Sequence, residues 1–162
     1  MDLVPFAPTQ AGLVASWPRS AEEVVMWCGK QEFPLPVETV DAWQHSEEVR
    51  AYLLIADDVP IGYGELWLDA QEDEVELARI ILAPAARGRG VGRALVLSLL
   101  SEAVKIGWSD IFMRVHPDNT VALRCYRGAG FVPVEAELAA QWNVPQPVEY
   151  VWLRHGDTHP AG

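Results

Sequence analysis

A basic, glycine-rich heptapeptide at residues 87–93 has the residue types best suited to binding an anion. It reads Arg87, Gly88, Arg89, Gly90, Val91, Gly92 and Arg93. Glycine at alternate positions lets an anion approach the backbone without meeting a Cβ atom. Three arginines add positive charge in a chain whose formal net charge is −11. The pattern therefore indicates a site for a phosphate group.

Two regular elements must position this loop. Residues 74–82 have the residue types of a strand, and Ala83 and Pro84 end it. Residues 91–106 carry apolar side chains at helical spacing. The apolar side includes Val96, Leu100 and Ala103, and the polar side includes Ser98, Ser101, Glu102 and Lys105. The loop would lie at the start of a helix, where unpaired N–H groups and a partial positive charge favour a phosphate.

Two well-known nucleotide-binding patterns do not fit this loop. A P-loop has Lys followed by Ser or Thr after its last glycine, whereas Arg93 and Ala94 follow here. A dinucleotide fingerprint has the spacing G-x-G-x-x-G, whereas these glycines alternate. The pattern that remains is Arg-x-x-Gly-x-Gly, filled by Arg87, Gly90 and Gly92. Its alternative interpretation is an ordinary basic turn that caps a helix.

A second motif, residues 116–126, follows the predicted helix and a short strand. Asp118 or Asn119 can cap a helix that begins there. Asn119, Ala122 and Tyr126 are spaced to share one face of that helix. The sequence Gly-Ala-Gly-Phe then ends the helix, and another strand begins at its phenylalanine. The His-Pro-Asp-Asn sequence that opens the motif is interpreted as turn chemistry rather than as a catalytic histidine.

In their order and spacing, the two motifs resemble the signatures of the GNAT family of N-acetyltransferases. The resemblance covers residues 50–135 and implies acetyl-CoA as co-substrate. Residues 87–93 would hold its pyrophosphate, mostly through the main chain. The backbone around Ile81 and Leu82 would donate a hydrogen bond to the thioester carbonyl, and Asn119 would orient the cofactor or the neighbouring strand. Tyr126 would protonate the departing thiolate, and its alternative interpretation is a core tyrosine.

Transfer to an amine also requires loss of a proton, because a primary ammonium has a pKa near 10. Glu76 is the first candidate base, directly or through water, since it lies on the strand before the loop and matches a catalytic glutamate of some family members. Glu74 and Glu65 are the runners-up, and a solvated strand carboxylate is the alternative for Glu76. By strict alternation, Ile80 would share the face of Glu76, and Arg79 would lie opposite.

The resemblance and the residue pattern together predict an α/β fold. We expect a central mixed sheet of six to seven strands, antiparallel at first and with a parallel central pair, flanked by helices. In the family the two parallel strands splay apart, and the pantetheine arm inserts between them. Strands are predicted at residues 3–6, 50–56, 60–68, 74–82, 108–115, 131–135 and 147–154, the last two joined by a linker. Helices are predicted at residues 9–17, 20–28, 37–44 and 91–106, and after residue 119.

Composition limits the class of protein. The 162 residues predict one acetyltransferase domain at residues 1–154 and a disordered tail at residues 155–162. The charge of −11 argues against nucleic acid as a partner and would attract cationic amines. The N-terminus resembles no signal peptide, and no apolar run reaches the roughly 18 residues of a membrane span. Cys28 and Cys125 have no metal-ligand or redox spacing, so a reduced cytoplasmic protein is expected.

The hypothesis is an acetyl-CoA-dependent N-acetyltransferase that acts by direct transfer in a ternary complex. Its acceptor would be a primary amine of a small molecule, with a peptide, a protein N-terminus or a lysine as alternatives. A non-catalytic domain that binds and senses acyl-CoA is the competing class, and homodimers are common in the family. Four N-terminal aromatic residues, Trp17, Trp27, Phe33 and Trp43, are candidate walls of the acceptor pocket, with core packing as the alternative.

Overall fold

A computed structural model describes residues 1–155 as a seven-stranded mixed sheet with helices on both faces. The strands are β1 (Asp2–Pro5), β2 (Val49–Ala56), β3 (Val59–Asp69), β4 (Glu74–Leu82), β5 (Asp110–Val115), β6 (Phe131–Pro133) and β7 (Val151–His155). The helices are α1 (Ala11–Ala15), α2 (Ala21–Cys28), α3 (Val37–Trp43), α4 (Val91–Ile106), α5 (Thr120–Gly128) and α6 (Ala136–Asn143). The strand order is β1-β2-β3-β4-β5-β7-β6. Within this range β4 and β5 run parallel and the other neighbours antiparallel, which confirms the predicted fold class.

Each face of the sheet buries its own hydrophobic cluster. On one face α4 packs Leu95, Val96 and Leu99 against the central strands, together with Tyr126 of α5. On the other face α1 to α3 cover a second cluster around Tyr63 of β3. None of the helices within residues 1–155 is long and apolar enough to cross a membrane.

Strand β4 contains a bulge at Arg79. Tyr63 of β3 pairs with Ile81, whereas Glu65, two residues later, pairs with Ala78, so β4 has one extra residue between these pairs. Arg79 has a φ of 48°, in the left-handed region that non-glycine residues seldom adopt. A bulge of this kind bends its strand and re-aims the side chains beyond it.

The bulge makes the predicted alternation of β4 wrong beyond Ala78. Arg79 lies on the same face as Glu76, where its guanidinium contacts Glu65. Ile80, expected beside Glu76, instead packs into the cluster under α4. Side chains alternate between the two faces of a strand, and one extra residue reverses the face of every side chain beyond it, so strict alternation fails at that point.

The two parallel strands separate halfway along their length, as the resemblance implies. β4 pairs with β5 only through Glu74–Leu77 and Asp110–Met113. Residues 78–82 of β4 continue beside β3 alone, while β5 continues beside β7. The separation leaves a cleft in the middle of the sheet.

The C-terminal region differs from the prediction at three points. β6 ends at Pro133, two residues earlier than predicted. The expected linker between the last two strands contains helix α6, which places Trp142 against the sheet. β7 begins at Val151, later than predicted, and includes His155, one residue beyond the predicted domain boundary. The rest of the predicted disordered tail, residues 156–162, lies outside the described residues.

Candidate active site

The cleft between β4 and β5 is lined from both strands and from two helices. Its walls are Leu77, Ala78, Arg79 and Ile80 of β4, Met113, Arg114 and Val115 of β5, Met26 and Trp27 of α2, and His116, Asn119 and Tyr126 at α5. On the β5 side, residues 78–82 of β4 have no strand partner within residues 1–155. Backbone groups along that edge are therefore available to an extended ligand that carries amide groups.

The glycine-rich loop opens at the end of β4. Gly88 and Gly90 have φ values of 73° and 76°, and a Cβ atom at either position would meet nothing within 4 Å. Gly90 is the N-cap of α4, and no side chain caps this helix. The first-turn N–H groups of α4 are thus available to an anion, with the exposed Arg89 and Arg93 close by in sequence.

Gly92 has a different role from the other two loop glycines. A Cβ atom there would lie 3.4 Å from Sγ of Cys125 and 3.6 Å from Cδ1 of Leu82. The missing side chain lets the first turn of α4 pack closely against α5 and the end of β4. Cys125 accordingly faces the loop rather than the cleft.

Arg87 is turned away from the loop and holds it to the N-terminal helices. Its Nη1 donates to Oε1 of Glu23 at 2.6 Å, and its Nη2 donates to the carbonyls of Trp17 at 3.1 Å and Leu82 at 3.3 Å. Ser20 caps α2 by accepting from the Glu23 N–H at 3.1 Å. The guanidinium therefore ties the loop to α2, and an anion would meet Arg87 through its main chain.

Tyr126, the predicted acid, lies on the wall of the cleft. It is 8% exposed and lies on the cleft wall with Ala78 and Met113. Burial raises the pKa of its hydroxyl above the ordinary value, so the group stays protonated at neutral pH. A protonated hydroxyl suits the predicted role as an acid, which stays a prediction.

Two neighbouring residues shape the turn that precedes α5. Asn119 caps the helix by accepting from the Ala122 N–H at 3.2 Å. His116 accepts from the Asp118 N–H through Nδ1 at 3.1 Å, which agrees with its interpretation as turn chemistry. Both residues also line the cleft.

Glu76 is 5% exposed and forms a two-point ion pair with Arg114. Nε and Nη2 of Arg114 donate to the two carboxylate oxygens at 2.7 and 2.9 Å. Burial raises the pKa of the Glu76 carboxyl, and the bonds from Arg114 act against that rise. Both carboxylate oxygens thus already accept hydrogen bonds, and the role of Glu76 as the base stays a prediction.

The two alternative bases occupy different environments. Glu65 has no exposed surface and accepts hydrogen bonds from the Tyr63 hydroxyl, from Nε1 of Trp67 at 2.7 Å and from Nη1 of Arg79 at 2.9 Å. This closed network leaves Glu65 no access to a substrate. Glu74 is half-buried, and its pKa is raised by burial and by the nearby carboxylates of Asp110 and Asp69.

Arg79 connects the bulge to the N-terminal helices, and the sequence analysis gave it no role. Its guanidinium carbon lies 4.1 Å from the ring centre of Trp43 and 4.8 Å from that of Trp67. Its backbone carbonyl accepts from Nε1 of Trp27 at 2.8 Å. The strained backbone of Arg79 is thus fixed both through its side chain and through its carbonyl.

The four aromatic candidates for pocket walls divide between the core, the cleft and the exposed surface. Trp17 and Trp43 are buried in the cluster beneath α1 to α3. Trp27 lines the cleft, and Phe33 is 44% exposed. Arg114 was not among the predicted site residues. Its sequence signal is a charged residue inside the apolar strand β5, as Glu65 is inside β3.

Comparisons with known proteins agree with this geometry. A model of the acetyltransferase (GNAT) family matches residues 16–131. A mycothiol acetyltransferase from Renibacterium salmoninarum is 41% identical over 56 residues, which is 35% of this chain and 17% of that protein. A second, from Rhodococcus erythropolis, is 30% identical over 108 residues, which is 62% of this chain and 36% of that protein. The chain therefore matches well under half the length of these curated relatives.

Solved structures share the fold along nearly the whole chain. The structure of AAC(6')-Ib in complex with ribostamycin and coenzyme A has a TM-score of 0.76 at 20% identity, covering 96% of this chain and 93% of that one. The spermidine N-acetyltransferase from Vibrio cholerae in complex with CoA and spermine has a TM-score of 0.72 at 19% identity, covering 94% and 92%. At these identities the likeness establishes the fold alone.

Proposed function

The chain belongs to the acetyltransferase (GNAT) family, and we propose that it transfers acetyl from acetyl-CoA directly to a primary amine of a small molecule. The observation that carries this proposal is the cleft between β4 and β5, which lies beside an uncapped helix N-terminus. An unpaired strand edge fits the two amides of a pantetheine arm, and the open glycine loop fits a pyrophosphate.

The positions of the loop residues favour main-chain recognition of the pyrophosphate. The space beside Gly88 and Gly90 is free, so the phosphate oxygens can reach the backbone N–H groups. Arg89 and Arg93 are exposed and add positive charge, whereas the guanidinium of Arg87 is held by Glu23. Backbone N–H groups near Ile81 and Leu82 would polarise the thioester carbonyl.

The reaction then needs two proton transfers. The neutral amine nitrogen attacks the thioester carbonyl carbon, and the carbon–sulfur bond breaks as the tetrahedral intermediate collapses. Tyr126 gives its proton to the departing thiolate. The proton lost by the amine leaves through water towards Glu76, whose pair with Arg114 keeps the carboxylate in place.

Several observations support a small amine as the acceptor. The net charge of −11 attracts cations towards the protein. Proteins of the same fold were solved with ribostamycin and with spermine, and relatives are named for mycothiol. A peptide or protein amine is the alternative acceptor. The free thiols of Cys28 and Cys125 support a cytoplasmic location.

Thermal unfolding with and without acetyl-CoA tests the first step of this proposal. A ligand at 100 times its Kd stabilises the folded state by about 2.7 kcal/mol, which is easily read as a shift in Tm. We expect a shift with acetyl-CoA that weakens for the analogue without the 3′-phosphate. No shift would refute the proposed function, and a shift without acetylation of any amine in a broad screen would indicate an acyl-CoA sensor.

Tyr126→Phe tests the proposed acid. Without the hydroxyl, the thiolate must take its proton from water, so kcat should fall about a hundredfold. The acetyl-CoA-dependent shift in Tm should persist, because the ring still fills its place in the core. Coenzyme A release, followed with a thiol reagent, measures kcat, and Tyr52→Phe on β2 is the matched control. A kcat equal to that of the wild type would remove Tyr126 from the mechanism.

A further inference from the structure

A second and larger cavity, of about 430 Å³, adjoins the paired half of β4 and β5. Its volume is in the range of small-molecule sites. The lining residues are Ser46, Glu48, Val49, Trp67, Leu68, Asp69, Glu74, Glu76, Phe112, Arg114, Trp142 and Trp152. They come from all strands between β2 and β5, from β7 and α6, and from the segment before β2.

This cavity borders the cleft of the proposed active site. Arg114 lines both spaces. On β4, Glu76 faces the cavity and Leu77 lines the cleft, and on β5 the same holds for Phe112 and Met113. The two spaces therefore adjoin at Arg114, beside its ion pair with Glu76.

The walls of the cavity are aromatic. The ring centres of Phe112 and Trp142 are 5.5 Å apart, and those of Trp142 and Trp152 are 5.1 Å apart. Trp67 forms part of the wall from β3. Such surfaces bind the apolar body of a ligand. The guanidinium carbon of Arg114 lies 4.6 Å from the ring centre of Trp152 and 5.6 Å from that of Trp67, so an incoming cation would meet the rings of Phe112 and Trp142 instead.

Apart from the ion pair of Glu76 and Arg114, the charged residues of the lining are all acidic. Arg114 is neutralised by Glu76. Glu48, Asp69 and Glu74 form no ion pair within residues 1–155. Burial and the carboxylates of Asp110 and Asp69 raise the pKa of Glu74, so an incoming cation would relieve an existing repulsion.

We infer that this cavity holds the acceptor, and that the acceptor is an elongated amine with a second positive charge at its far end. One amino group would reach the cleft near Ala78, and the second would lie among Glu48, Asp69 and Glu74. From Glu74 to Ala78 a strand extends about 13 Å, comparable to an extended eight-carbon diamine. The inference rests on the proposed function and adds the substrate class to it.

Equilibrium binding of two probes tests the inference without any chemistry. Octamethylenediamine and n-octylamine share their chain and one ammonium, and only the diamine has the second charge. Titration by calorimetry should show the diamine binding about tenfold more tightly, since one additional cation contacts carboxylates and aromatic faces. In Glu74→Gln we expect that preference to fall to about threefold or less.

Glu72→Gln is the matched control, because Glu72 is an exposed carboxylate on the same β3–β4 turn that does not line the cavity. It should keep the full preference for the diamine. Equal affinities of the two probes in the wild type would overturn the inference, as would an unchanged preference in Glu74→Gln. A shift in Tm with acetyl-CoA alongside equal probe affinities would leave the proposed function intact. A diamine preference without that shift would refute the proposed function and leave the selectivity of the cavity established.

Discussion

Gly90→Glu should lower the affinity for acetyl-CoA by a hundredfold or more. The substitution places a carboxylate at the N-cap of α4, beside the N–H groups assigned to the pyrophosphate. Like charges at this point repel, and the new side chain occupies space that is open in the wild type. The φ of 76° at Gly90 adds backbone strain for any residue with a Cβ atom. A hundredfold loss corresponds to about 2.7 kcal/mol of binding free energy, which calorimetry measures directly.

The other end of the same helix provides the control. Gly107 is the C-cap of α4, has a φ of 82°, and would likewise meet nothing within 4 Å on gaining a Cβ atom. Gly107→Glu therefore introduces the same charge and a similar strain away from the loop. Its affinity for acetyl-CoA should match that of the wild type, whereas normal affinity in Gly90→Glu would contradict the loop assignment.

Glu65→Gln should destabilise the protein by about 3 kcal/mol. The wild-type carboxylate has no exposed surface and neutralises Arg79, whose guanidinium lies between two tryptophan rings. Glutamine keeps the shape but leaves that cation without a counter-charge in a mostly buried site. For a chain of this length the loss corresponds to a fall in Tm of about 6 to 12 °C, measured by calorimetric melting.

Two further variants distinguish the effect of breaking the buried ion pair from the effect of removing any carboxylate. Glu102→Gln removes a carboxylate from the exposed pair with Lys105 and should change stability by less than about 0.5 kcal/mol. Arg79→Gly, added to Glu65→Gln, removes the unpaired cation and relieves the backbone at φ 48°. The double variant should lose less unfolding free energy than the two single variants lose together. Strict additivity would show that Glu65 and Arg79 do not act as a pair.

Local patterns predicted the elements that form the core of the site. The bounds of β4 and α4 match the prediction because an apolar run ends at Pro84 and the helix lies between two glycines, Gly90 and Gly107. The short helices at the N-terminus and the β2–β3 hairpin also lie where expected. Helix α6 was missed because nearby prolines such as Pro145 suggested a linker, although its own residues favour a helix.

Non-local contacts account for the rest. Arginine has no preference for a bulge, so residue 79 gave no local sign of one, and the strand was expected to alternate throughout. The pairing of Glu76 with Arg114 joins residues far apart in sequence, and so does that of Glu65 with Arg79. The sequence shows that these charged residues lie in apolar strands, but not which of them pair. The proposed acceptor cavity depends on α6, the element that the sequence analysis did not predict.

The separation of β4 from β5 also affects how this protein avoids association with other chains. The outermost strands of the sheet, β1 and β6, are short, which limits pairing with another chain at the rim. The longer unpaired edge begins at residue 78, and its residues 78–80 line the cleft together with Trp27 and Tyr126. Residues of α2 and α5 line the cleft around this edge. The fold thus keeps a hydrogen-bonding edge available for a cofactor while hiding it from strand exchange and aggregation.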